Sequence, residues 1–200
     1  MSTEKSWPMA NWTLRFATPA AWVETVMANF DQFLIDHAAA EKKAAGMAIS
    51  MLSHYHDKMD VVAAMTELAV EEMTHFKEVV KLIHARGLNT LPDERDKYIV
   101  NFRRHIRNGR DEYFLDRLLI GGIIEARGAE RFGLIADALP DGSLKGFYRG
   151  ITRTEHRHED LMIDLARVYF PEDTVCQRLN ELLDIEAEIC AALPIKAALH

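Results

Sequence analysis

The chain has 200 residues, 48% of them apolar, and a formal charge of −7. That apolar share excludes a mostly disordered chain, and the acidic balance excludes a generally basic nucleic-acid coat while leaving room for a local basic patch. Its two cysteines, Cys176 and Cys190, form no C-x-x-C, which excludes a disulfide scaffold, a zinc ribbon and a rubredoxin-type site.

The opening residues, MSTEKSWPMANW, carry no apolar h-region, so no secretory leader is expected. Helical periodicity dominates from there on, and no alternating strand pattern survives. Thr18-Pro19 reads as a helix start, with Thr18 as N-cap and Pro19 at the first helical position. The first helix is expected over about 19–53 and the turn His54-Tyr55-His56-Asp57 follows it. The second spans about 57–86 and stops at Gly87. Residues 87–110 are a connection holding Pro92, a short amphipathic stretch over about 93–106 and the break Asn108-Gly109. The third helix covers about 111–138 and ends at Pro140-Asp141-Gly142; it contains the longest apolar run, Leu118 to Ile124. That run is far short of the roughly 18 residues needed to span a bilayer, so no membrane segment is expected. A fourth helix over about 143–168 and a fifth over about 172–192 complete the chain. Short loops make helices 1–2 and 3–4 antiparallel pairs, and the long middle connection can run the length of a bundle. The expectation is all-α: a ferritin-like four-helix bundle with one long crossover and an extra C-terminal helix. Nothing in composition marks a linker, so residues 1–200 read as one domain, in a reducing, cytoplasmic setting.

Each of the first four helices has an apolar stripe at i, i+3, i+4 spacing, and a glutamate interrupts each stripe near its middle. Glu41 lies among Leu34, His37, Ala38, Ala45 and Ala48; Glu72 and His75 lie among Met65, Leu68 and Val79. Glu125 lies among Leu118, Gly121, Gly122, Gly128, Ala129 and Phe132; Glu155 and His158 lie among Ile151, Met162 and Leu165. Four buried carboxylates without partners would cost several kcal/mol each, so positive charge must sit among them. Glu72-Met73-Thr74-His75 and Glu155-His156-Arg157-His158 are both E-x-x-H, which puts a carboxylate and an imidazole on one face, one turn apart. Glu41 precedes Glu72 by 31 residues and Glu125 precedes Glu155 by 30, so the same half-site occurs twice. Measured from a turn near residue 55, Glu41 and Glu72 lie at depths of roughly 21 and 26 Å, nearly one level. Four Glu and two His are the ligand set of a carboxylate-bridged dinuclear site. Two divalent ions would neutralise it, and oxygen and imidazole donors without thiolate suit iron or manganese better than zinc or copper. Glu41, Glu72, His75, Glu125, Glu155 and His158 are therefore the candidate metal and catalytic residues, with Glu72 and Glu155 as bridges.

Blander readings fit the rest. His37 is expected as a core histidine behind Glu41, and His54, His56, His84, His105, His156 and His200 as exposed. Glu71 and Glu130 are assigned to solvated faces. The small residues beside the stripes either allow close helix packing or leave space for oxygen and substrate.

The blocks LIDHAAAEKKAA (34–45), LAVEEMTHFKEVV (68–80), DRLLIGGIIEARGAERF (116–132) and TEHRHEDL (154–161) resemble the tRNA 2-methylthio-N6-isopentenyladenosine hydroxylases, which are ferritin-like di-iron monooxygenases. TPAAWVE (18–24) and YIVNFRRHIR (98–107) extend the resemblance over roughly residues 15–190. Gly128-Ala129 and Ala40 depart from the family, which commonly has Ser-Cys and Cys there. The resemblance implies two iron ions, O2 as co-substrate, tRNA as partner, an external electron donor of reductase or ferredoxin type, and hydroxylation of the isopentenyl group. It leaves the oligomeric state open between a monomer and a small oligomer.

Segment 86–110 carries seven cations against three carboxylates, a net +4 within a chain of −7. Arg103, Arg104, Arg107 and Arg110 recur there at helical spacing beside Tyr98 and Phe102, a candidate footprint for tRNA phosphates. The competing reading is a solvated helix face. Among other functions, an iron-storing ferroxidase, a rubrerythrin-type peroxidase and a quinone hydroxylase share the ligand pattern. The peroxidase lacks its cysteine set here, and no exposed apolar helix face suits a membrane quinone. A pure RNA-binding module leaves the four glutamates unexplained.

Overall fold

The computed structural model describes residues 12–93 and 95–200. The leader expectation, on residues 1–11, and Glu94 of the basic segment lie outside the described residues. The described residues form α1 (Ala20–Ala28), α2 (Phe30–His54), α3 (Met59–Ala85), α4 (Lys97–Arg103), α5 (Arg110–Ala138), α6 (Ser143–Tyr169) and α7 (Glu172–Ala192), with no strand among them.

The helix expected over 19–53 is two helices. Asn29 leaves the helical region at φ −133° and ψ 45°, and its side-chain amide donates to the carbonyl of Thr25 at 2.9 Å. An asparagine that bonds its own preceding turn offers the backbone an alternative to continued helix. The start also differs. Pro19 is the extended capping residue, and the Thr18 hydroxyl donates instead to Glu130 Oε2 at 2.7 Å. Glu130 is thus not a solvated residue; it anchors the entry to α1 through Thr18 N as well, at 2.8 Å. The stop after α3 follows the sequence reading. Gly87 adopts φ +72°, its N–H bonds the carbonyl of His84, and Leu88 N–H reaches back to that of Ile83. These two bonds satisfy carbonyls the helix end would leave open.

α2 packs against α3 and α5 against α6; the two pairs meet through α3 and α6, and α7 packs on α4, α5 and α6. The crossover between α3 and α5 contains α4, shorter than the stretch expected over 93–106. Its exit is pinned by fully buried Asp116, which accepts from Arg107 N at 2.9 Å, from the Arg107 guanidinium at 2.7 Å and from Arg178 Nε at 2.9 Å.

The core has two apolar clusters. One joins the ends around Met51, Val61, Leu118 and Ala166 with Tyr98, Phe102 and α7. The other joins Phe33, Leu34, Val79, Phe132 and Ile151 with Trp22 of α1. The first therefore holds the C-terminal ends of α2 and α6 and the N-terminal ends of α3 and α5. The second holds the opposite ends. Each of α2, α3, α5 and α6 passes from one cluster to the other through a polar layer, and that layer contains Glu41, Glu72, Glu125 and Glu155.

Candidate metal centre

The six candidate ligands meet in this layer. Glu72 is fully buried, and Glu41, Glu125, Glu155 and His158 are nearly so. His75, with a side chain 15% exposed, is the most accessible of the six. Glu41, Glu72, His75 and Glu155 each offer one donor atom within 4.8 Å of the others. Glu72, Glu125, Glu155 and His158 do the same. Glu72 and Glu155 belong to both groups, so they could help to hold an ion in either.

His75 Nδ1 lies 3.6 Å from Glu41 Oε2 and from Glu72 Oε2, and 3.5 Å from Glu155 Oε1. His158 Nδ1 lies 2.8 Å from Glu72 Oε1 and 3.6 Å from Glu155 Oε2. These are close approaches without hydrogen-bond alignment. Both carboxylate oxygens of Glu72, Oε1 of Glu155, and Nδ1 of His75 and of His158 are buried with no hydrogen-bond partner. An orphaned buried polar atom costs about 1–3 kcal/mol, and five facing one another would be hard to sustain. Lone pairs that converge on common points instead of pairing fit cations. The donor set, four carboxylates and two imidazoles, fits iron or manganese.

Protonation follows the same geometry. Burial pushes Glu125 well above the usual carboxylate range, and Glu155 and Glu72 beside it push the same way. Burial also raises Glu72, against the opposing pull of His158 and His75. Burial disfavours the charged imidazole of His75, yet Glu41 and Glu72 hold it up at about 10. His158 is held at about 11 in the same way by Glu155 and Glu72. Without metal, protons therefore occupy the cluster.

Residues around the cluster orient it. His37 Nε2 lies 2.6 Å from Glu41 Oε1, and its Nδ1 lies 3.2 Å from the Tyr148 hydroxyl. Glu41 is held down at about 2: burial opposes ionisation, but His37 and His75 outweigh it. His37 is thus the core histidine expected. Glu71 departs from its expected solvated role, because its Oε2 lies 2.7 Å from His158 Nε2. A carboxylate there accepts a hydrogen bond from Nε2–H, and in that tautomer the Nδ1 lone pair faces the cluster, as the outer partner of a ligating histidine arranges. Glu71 is adjacent to Glu72 in sequence and sits off its stripe; only the approach of α6 brings it to His158.

A cavity of about 500 Å³ opens beside the layer, between α2, α4 and α5, and Glu125 lines it. Met47, Ile99, Ile120 and Ile124 give it apolar walls, and Lys43, Arg95, Arg103 and Arg117 also line it. The small residues divide between the two roles open to them. A side chain on Gly122 would meet Met162 Cβ at 3.2 Å and the Glu159 carbonyl at 3.3 Å, so that glycine permits close α5–α6 packing. Ala40, Ala44 and Gly46 line the cavity, and Gly121 does both.

The four arginines proposed for phosphate do not share a helix face. Arg103 ends α4 and lines this cavity; Arg104 caps α4 and donates to Asn101 Oδ1 at 3.2 Å. Arg107 is committed to Asp116, and Arg110 begins α5 beside a separate cavity lined by His54, Lys58 and Tyr113. Tyr98 and Phe102 are core residues, not surface aromatics. The crossover is too irregular to continue the helical spacing past Arg104.

Two antiparallel helix pairs, each supplying one Glu from one helix and E-x-x-H from the other, define a ferritin-like carboxylate bundle. The chain matches the family model described as tRNA-(MS[2]IO[6]A)-hydroxylase (MiaE) over residues 6–200, and it belongs to that family of hydroxylases. It is 34% identical over 172 residues to a tRNA 2-(methylsulfanyl)-N(6)-isopentenyladenosine(37) hydroxylase of Pseudomonas putida, covering 86% of this chain and 83% of the relative. It is 30% identical to the Salmonella typhimurium protein of the same name, covering 64% of this chain and 47% of that one. Among solved structures, a Synechococcus protein described as having aldehyde deformylating oxygenase activity superposes with a TM-score of 0.89. It is 34% identical, over 94% of this chain and 96% of that one. Among the described residues, no helix is long and apolar enough to cross a membrane.

Proposed function

We propose that this protein hydroxylates the isopentenyl side chain of 2-methylsulfanyl-N6-isopentenyladenosine in tRNA. In this reading Glu41, Glu72, His75, Glu125, Glu155 and His158 hold two iron ions, and O2 is the co-substrate. The observation that carries it is the cavity: apolar walls reach Glu125, and cations line the same space. Family membership supplies the substrate class. Bound in the layer, the metal pair supplies the redox chemistry that activates dioxygen; one oxygen atom enters the product, the other leaves as water, and an external reductase or ferredoxin-type donor provides two electrons.

The chain's own residues do the rest. Met47, Ile99, Ile120 and Ile124 hold the isopentenyl group and keep water away from it. Lys43, Arg95, Arg103 and Arg117 offer charge to phosphate. Glu71 keeps the His158 proton on Nε2, and His37 steadies Glu41. A cytoplasmic setting follows from a tRNA substrate, and nothing in the reaction requires more than a monomer or a small oligomer.

The test is nucleoside mass spectrometry. Iron-loaded protein is incubated with oxygen, a reducing system and tRNA carrying the modified adenosine, with Glu125→Ala as control. The expected result is a gain of one oxygen on that nucleoside, absent in the control. No gain from protein that binds iron and consumes oxygen would discard the tRNA substrate and keep an oxidase of another kind.

A further inference from the structure

His200 is expected to be exposed on sequence grounds, and the structure places it in the cavity wall. The segment after α7 folds back onto the bundle. Trp22 Nε1 donates to the Ala198 carbonyl at 3.0 Å, Leu199 N donates to Asp36 Oδ2 at 2.7 Å, and Arg131 donates to the Leu199 carbonyl. Ala197 and Leu199 are buried. The His200 ring stacks on Tyr98, with centroids 4.7 Å apart and planes 7° apart, and its side chain is only 6% exposed.

The ring's two nitrogens have different surroundings. Nδ1 lies 3.2 Å from Asp96 Oδ2, while Asp96 Oδ1 accepts from Ile99 N at 3.2 Å and so caps α4. A carboxylate at Nδ1 accepts a hydrogen bond from Nδ1–H, and in that tautomer the lone pair is on Nε2. Nε2 is buried and has no hydrogen-bond partner. His200 and Glu125 line the same cavity. Stacking and the Asp96 contact fix the ring in the cavity wall, with this acceptor left unpaired.

We infer that His200 contacts the substrate, its Nε2 accepting a hydrogen bond from the N6–H of the isopentenylated adenine. The inference rests on the function proposed above. The N6–H is borne by the nitrogen to which the isopentenyl chain is attached. Gripping it sets where the chain begins, and therefore which of its carbons reaches the reacting atoms. A site built to accept that hydrogen discriminates against an adenine whose N6 carries a second alkyl group, because Nε2 then stays buried and unpaired.

The test compares two synthetic RNA hairpins, one carrying 2-methylsulfanyl-N6-isopentenyladenosine and one carrying its N6-methyl derivative. Wild type, His200→Phe and Asp96→Asn are assayed by oxygen gain, with iron content measured for each. Phe keeps a ring to stack on Tyr98 and removes Nε2. Asn keeps the cap on α4 but can donate to Nδ1, which moves the ring proton to Nε2. Wild type is expected to prefer the N6–H hairpin by about tenfold or more in kcat/KM, chiefly through KM. Both variants are expected to lose that preference at unchanged iron content. If His200→Phe does not fold, Asp96→Asn decides. Retention of the wild-type preference by the variants would show steric rejection of the methyl group and overturn the inference, as would equal use of both hairpins by wild type. Iron-loaded wild type that oxidises neither hairpin overturns the proposed function itself and the inference with it.

Discussion

Glu125 and Arg127 lie two residues apart on α5, both buried, and each sits within a cluster of charge. Around Arg127 every polar atom has a partner. Its Nε donates to Glu186 Oε1 at 2.8 Å, and its Nη2 donates to Glu186 Oε2 at 3.0 Å and to the Phe16 carbonyl at 2.8 Å. Nη1 reaches Glu130 and Thr18, and Glu186 Oε1 also accepts from the Tyr98 hydroxyl at 3.1 Å and from Cys190 Sγ at 3.0 Å. Around Glu125 the reverse holds: five buried polar atoms, from Glu72, His75, Glu155 and His158, face one another unpaired. A buried charge cluster that satisfies itself ties helices together. One that does not is completed by something outside the chain.

Single substitutions break this contrast most sharply. Glu125→Gln is expected to abolish turnover and remove the stabilisation that added Fe(II) confers, while leaving the metal-free melting temperature nearly unchanged. The reason is that burial already favours the neutral carboxyl, which Gln resembles. Glu186→Gln should do the opposite: it leaves Arg127 buried against an incomplete partner and lowers stability by about 3–5 kcal/mol with or without metal. Denaturant unfolding of both variants, with and without Fe(II), checks the pair. Equal behaviour of the two would mean that the layer is structural.

The pH dependence sharpens the same contrast. His75 and His158 sit at about 10 and about 11, above their ordinary 6.5. A group raised on folding stabilises fully below its unfolded value, and that contribution is lost as pH rises through the folded one. The raised carboxyls of Glu72 and Glu125 act in the same sense. Metal-free protein should therefore lose stability as pH rises from about 6.5 to about 11. Metal-loaded protein should not, because the ions have displaced those protons. Calorimetric titration with Fe(II) in buffers of different ionisation enthalpy should register the proton release directly.

Smaller effects are expected further out. Glu71→Ala should weaken metal affinity by about 10–100-fold, measured by competition with a chelator, since it removes only the acceptor behind His158. Arg103→Ala should weaken tRNA binding and reduce its logarithmic salt slope by about 1, with iron content unchanged. Arg107→Ala should instead act on stability, because its partner is buried Asp116.

The sequence was read most securely where the governing geometry is internal to one helix. The i, i+3 relation of Glu72 to His75 and of Glu155 to His158 follows from helical pitch alone, and so does the position of each glutamate on its apolar stripe. The stop at Gly87 and the bounds of α7 are local for the same reason. Equal depth around the turn near residue 55 brings Glu41 and Glu72 to one level; the docking of the two helix pairs brings that level to Glu125 and Glu155. The resemblance blocks carried the family and the substrate.

Docking between segments decided the remainder. Asn29 divides the first helix, and α1 then turns its Trp22 to the segment after α7. Glu71 reaches His158 only because α6 lies against that side of α3. Arg107 is drawn from the expected phosphate face to Asp116, and His200 is brought from an expected exposed position to the cavity wall. Each of these depends on a contact between residues distant in sequence, or on side-chain competition at a single position. Helical periodicity carries neither, since it records which residues share a face and not what that face will meet.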